Sequence, residues 1–221
     1  MSKEVENMER LMKNKQVEFR DFNLTNIETR QDDTGNEKLI IEGTPCIYNR
    51  ETVLCKDDYW EFREIIDSRA FDEADMTDVI FNFNHGGRVF ARTRNESLQL
   101  ENKPDALHMK TELWQDDEGH AELYRDIKRK NLDKMSFAFT VKECEYHSFE
   151  KEDGKNIRLR TITKIDKLYD VSAVDFPAYD ATEISARRIF DAESGKEELE
   201  KAKAESRARA LYEYTKLKEG K

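Results

Sequence analysis

The chain has 221 residues, a net charge of −10, and slightly more charged residues (39%) than apolar ones (37%). That acidic balance argues against general binding to nucleic acid or anionic membranes, because neither phosphate nor anionic lipid attracts it. Three cysteines with no CxxC pair, no signal peptide and no apolar run of about 20 residues predict a cytosolic protein with reduced thiols.

Residues 1–16 are charged, with Met8, Leu11 and Met12 at helical spacing, and read as a weak amphipathic helix or a disordered arm. Val17 to Ile27 turns β-like. Thr29 to Asn36 is a turn, from which the chain is expected to return as a hairpin partner through Lys38 to Tyr48, bent at Gly43-Thr44-Pro45. Asn49 to Asp57 reads as a polar loop, and Trp60 to Ile66 as a strand. Ser68 is placed to cap a brief helix through Ala74.

Val79 to His85 is an uncharged run that predicts a buried strand, ending in His85 and then Gly86-Gly87. Short β pieces follow at Phe90–Thr93 and Ser97–Leu100. Leu107, Met109, Thr111 and Leu113 alternate with polar residues as in a half-exposed strand. Ala121 to Asn131 has helical spacing and a basic end. From Met135 to Val141, one face carries Met135, Phe137, Phe139 and Val141, and the other carries Ser136, Ala138 and Thr140. A charged turn at Glu150–Asn156 leads to strands at Arg158–Ile165 and Leu168–Phe176, and a helix is expected near Glu197–Leu217.

These elements predict an α+β fold with a mostly antiparallel, β-barrel-like core and a few short helices, flanked by charged helical or disordered N- and C-terminal extensions. The expected divisions are an arm at 1–16, a body at 17–190 and a helix or tether at 191–221. That last segment holds eight acidic and eight basic residues. A solvated helix explains its charge pattern as well as a tether does.

A histidine at the mouth of a core strand, beside glycines, is well placed for a general base. More often such a residue is structural, so His85 needs partners. Ser136 lies on the small-residue face of its strand, where a substrate has room. A serine becomes a useful nucleophile only when a histidine takes its proton and a third group orients that histidine. Asp170 and Asp175, on opposite parities of an otherwise apolar run, each need a partner if buried. The plainer alternative is that Asp175 or Asp180 caps a turn beside Pro177. His85, His108, His120 and His147 match no compact zinc-ligand spacing, so no metal is expected.

Together, Asn84-His85, the basic helix end running into Met135-Ser136-Phe137-Ala138-Phe139, and Asp170-Val171-Ser172-Ala173-Val174-Asp175-Phe176-Pro177 resemble the prohead (capsid maturation) proteases of tailed bacteriophages. The resemblance covers roughly Leu39 to Ala181. It implies a serine endopeptidase similar in fold to the herpesvirus assemblins, with residues 17–190 as the protease domain. Such an enzyme processes the major capsid protein precursor and scaffold inside the immature capsid, in the host cell cytoplasm, and trims itself.

By position, the resemblance makes His85 the base and Ser136 the nucleophile. Asp170 stands where the family carries an acidic residue before a Val/Ile-Ser step, so it would orient His85, with Asp175 as the alternative. No cofactor, nucleic acid or membrane is implied, and a homo-oligomer is compatible with it. The alternative function is an inactive capsid-assembly or scaffold-like protein that keeps the protease fold.

Overall fold

The structure, a computed structural model, describes residues 17–22, 28–30, 39–150, 154–175 and 189–191, with 195 and 204 as single positions. The arm at 1–16 and the helix expected at 197–217 lie outside these, apart from position 204. Among the described residues, eleven strands form two sheets, and one α-helix of several turns accompanies them.

The larger sheet is built on a long hairpin, β10 (Lys134–Glu150) and β11 (Asn156–Val174). β1 (Glu18–Phe22) pairs with the free edge of β10. The far edge of β11 is shared by two parallel partners. Residues 156–162 pair with β5 (Trp60–Ile66), and residues 170–173 pair with β6 (Ile80–Phe83). β4 (Thr52–Lys56) borders β5, and β7 (Gly86–Arg92) borders β6. The smaller sheet runs β2-β3-β9-β8, from β2 (Glu28–Arg30), β3 (Leu39–Ile47), β9 (Ala106–Leu113) and β8 (Leu98–Asn102).

Period-two burial drives this packing. Leu39 and Ile41 on β3, and Leu107, Met109 and Leu113 on β9, meet Met135, Phe137 and Phe139 of β10 in one core. At Pro45 and Cys46 the alternation breaks and the β3–β9 register shifts, which is the expected bend. Helix α1 (Glu118–Lys128) buries His120, Leu123, Tyr124 and Ile127. Asp117 caps its first turn by accepting from His120 N–H, and Lys130 ends the segment at a left-handed φ of 60°. The helix starts a turn earlier than its apolar spacing predicts because the capped turn itself is polar.

The α+β, mostly antiparallel expectation is borne out, as two sheets with no closed barrel among the described residues. Several local expectations are corrected. The strand from Val17 pairs with β10, and the hairpin partner of β3 is β2. The loop at 49–57 contains β4, whose Leu54 packs on Phe62. Residues 68–74 form successive i to i+3 turns, begun by Asp67 accepting from Arg69 N–H, in place of a helix. From Arg158 to Val174 there is one continuous strand where two were expected, because Lys167 still pairs with Thr140 and the register shifts past Asp166 without ending the ladder.

Candidate active site

Sheet register places the chemistry. Ser136 of β10 stands opposite Asp21 of β1 on one side and Ser172 of β11 on the other, and Ser172 stands opposite Asn82 of β6. Residues opposite one another share a face, so Ser136, Ser172 and Asn82 form a row across three strands about 4.8 Å apart. Asp170, two residues before Ser172, shares that face.

His85 reaches the row from the β6–β7 turn. Phe83 and Gly86 pair across it, and the two turn residues Asn84 and His85 have φ values of 49° and 55°. Two consecutive left-handed residues characterise the tight turn that matches strand twist. Gly87 follows at φ 65°, and a Cβ there would meet nothing, so its conformation rather than close packing favours glycine. Three hydrogen bonds hold the turn on β11. Asn84 N donates to Ala173 O (3.0 Å), His85 N to Ser172 Oγ (3.2 Å) and Asp175 N to Asn84 Oδ1 (3.3 Å).

The three expected side chains come together. His85 Nδ1 is 2.7 Å from Asp170 Oδ1, and its Nε2 is 2.6 Å from Ser136 Oγ. A carboxylate only accepts, so Nδ1 donates to Asp170 and Nε2 is left to accept from Ser136. In this arrangement a hydroxyl can pass its proton to an oriented imidazole. Ser136 Oγ is also 3.0 Å from the Arg20 carbonyl, a competing acceptor for the same proton. The ring of Phe19 meets His85 edge to face at 4.7 Å. Ser136 has no exposed surface, and the His85 side chain is only 14% exposed. Asp175 is exposed beyond the end of β11.

On the opposite face of β1 lies a buried charge network. Arg20 binds Glu64 (2.5 and 2.8 Å) and Glu18 (2.6 Å), and Arg160 binds both glutamates (2.7 to 3.1 Å). The Arg20 guanidinium also lies 5.5 Å over the Phe139 ring. Burial pushes the Glu18 carboxyl up, but the Arg20 and Arg160 charges outweigh it and hold the carboxyl below its ordinary value. Burial lowers His120, whose Nδ1 accepts from Trp114 N–H at 3.0 Å. The other histidines lie on separate elements from His85. Among the described residues no group of three or more His, Cys, Asp or Glu could hold a metal ion.

Two polar residues of the row were not singled out from the sequence, Ser172 and Asn82. Ser172 Oγ is 3.1 Å from Asp170 Oδ1 and 3.2 Å from His85 Nδ1, and it donates to Asn82 Oδ1. A lone serine or asparagine in a strand carries no spacing signal. The usable hint was Ser172 at i+2 from Asp170, on one face of an apolar strand.

A family model described as caudovirus prohead serine protease matches residues 25–197. Among solved structures, the bacteriophage T4 capsid assembly protease, gp21, is similar at 13% identity and a TM-score of 0.37, with 73% of this chain and 99% of that chain covered. No curated protein matches.

Proposed function

This chain belongs to the caudovirus prohead serine protease family, and we propose that it is a serine endopeptidase working through Ser136, His85 and Asp170. As Ser136 Oγ attacks a scissile carbonyl carbon, His85 Nε2 takes its proton. Asp170 holds the ring and stabilises the imidazolium. The imidazolium then protonates the departing amine, leaving an ester on Ser136. Water attacks that ester, gives its proton to Nε2, and Ser136 leaves with the proton returned. Backbone N–H groups must stabilise the oxyanion in both halves.

The substrates we propose are the major capsid protein precursor and the scaffold segment, with self-cleavage, inside the immature capsid in the host cell cytoplasm. Residues 17–190 form the protease domain, and 191–221 a tether to those partners. Asp170 is the third member rather than Asp175. The observation that carries the reading is the 2.6 Å contact between Ser136 Oγ and an imidazole bound to a carboxylate at its other nitrogen, in a chain of this family.

Incubation of the full chain with the capsid precursor tests it. Wild type is expected to cleave, and Ser136→Ala to be slower by about 10⁴-fold or more. Equal cleavage by both would overturn the nucleophile. No cleavage by wild type in assembling proheads would favour an inactive assembly protein.

A further inference from the structure

Ser172 is the most connected polar side chain of the site, and the mechanism above leaves it without a task. Building on that serine-protease reading, we propose that Ser172, with its proton directed by Asn82, is a positioning residue that fixes the backbone, ring and tautomer of His85.

The backbone comes first. His85 has a Cβ and sits at φ 55°, a conformation that side-chain-bearing residues adopt only at a cost. The ring can meet Ser136 only while that turn stays in place. Ser172 Oγ accepts the His85 N–H directly, beside the Asn84 N–H to Ala173 O bond. Ser172 therefore ties the turn bearing the base to the strand bearing its carboxylate.

Proton counting supplies the second half. A serine hydroxyl has one proton and two lone pairs. Around Ser172 Oγ stand two oxygen acceptors, Asn82 Oδ1 and Asp170 Oδ1, and two His85 nitrogens, the backbone N and Nδ1. If the proton went to Asp170 Oδ1, it would compete with His85 Nδ1–H for the same carboxylate oxygen. Donation to Asn82 Oδ1 draws it away. Asp170 is then left to accept from Nδ1–H, and the Ser172 lone pairs face both His85 nitrogens. Proton on Nδ1 means lone pair on Nε2, which is the form that can accept from Ser136.

Burial makes this demanding. Ser172 is 0% and Asn82 2% exposed, so solvent does not readily replace either group. A hydroxyl that merely filled space would affect stability and leave the reactivity of folded molecules alone. A positioning hydroxyl changes reactivity per folded molecule and the environment of the Nδ1 proton.

The test uses full-length wild type, Ser172→Ala, Asn82→Ala and the double variant. Three quantities are read: the rate constant for fluorophosphonate labelling of Ser136 per folded molecule, the thermal midpoint, and the downfield proton resonance of His85 Nδ1–H. Ser172→Ala is expected to label about 10- to 100-fold more slowly, as a small misplacement of a catalytic group does. Its Nδ1–H resonance should move or broaden. Asn82→Ala should slow labelling by less, and the double variant should label no more slowly than Ser172→Ala. Labelling within twofold of wild type in Ser172→Ala would overturn the positioning role and leave the protease reading intact. Should Ser172→Ala fail to fold, Asn82→Ala decides on the same criterion. Absence of Ser136 labelling in folded wild type would overturn both.

Discussion

In the proposed mechanism His85 can serve Ser136 only while Nε2 carries no proton, and the group that would enforce this is the acceptor at Nδ1. The Asp170 contact of 2.7 Å supplies it. Asp170→Asn conserves shape but offers the ring an N–H where it needs an acceptor, so the opposite tautomer is stabilised. Labelling of Ser136 in Asp170→Asn should fall by about 10⁴-fold. Asp175→Asn should stay within about twofold, because Asp175 is exposed beyond the end of β11. The reverse ranking would make Asp175 the third member. The three candidate residues could be named from the sequence because short motifs on three segments together resembled a family. Ser172 and Asn82 were not, since their meaning arises only when β10, β11 and β6 are laid side by side. Left-handed φ at His85 was equally hidden, because Asn-His gives a weaker turn signal than Asn-Gly.

At the scale of elements, β1 is held by charge as well as by its ladder. Glu18 and Arg20 contribute half of a four-residue buried network completed by Glu64 and Arg160. Removing one partner strands an opposite charge in the interior, so Glu64→Gln should cost about 3–5 kcal/mol of unfolding free energy in denaturant titrations. A loss under about 1 kcal/mol would mean that the network contributes little. The depressed Glu18 carboxyl fixes a pH direction. Its contribution is complete above the ordinary glutamate value of 4.5. It is lost progressively as pH falls through the lower folded value. Wild type should therefore lose stability more steeply than Glu18→Gln between about pH 5 and pH 3; equal slopes would contradict the shift. None of this was legible from Glu18 or Arg20 alone, which read as ordinary polar positions. Their partners lie 44 and 142 residues away. The same non-locality explains the misassigned β1 partner. Alternation identifies a strand, but not its neighbour.

For the whole molecule, two features determine how the site is held. One long strand, β11, carries Asp170 and Ser172 and pairs with three others, so the proposed acid, nucleophile and base are referred to a single rigid rail. The fully buried Phe81, Phe137 and Phe139 back the same strands from the core side. The α+β class and the antiparallel hairpins were readable from period-two alternation in β3, β9 and β10. Closure was not, because a count of strands does not say whether the last meets the first; here they divide into two sheets. In the proposed mechanism this scaffold makes Ser136 a nucleophile through His85. Its most direct test is intact-mass and peptide-mapping analysis after fluorophosphonate treatment of wild type and His85→Ala. A single adduct on Ser136 is expected in wild type and almost none in His85→Ala. An adduct elsewhere, or equal labelling of Ser136 without His85, would contradict it.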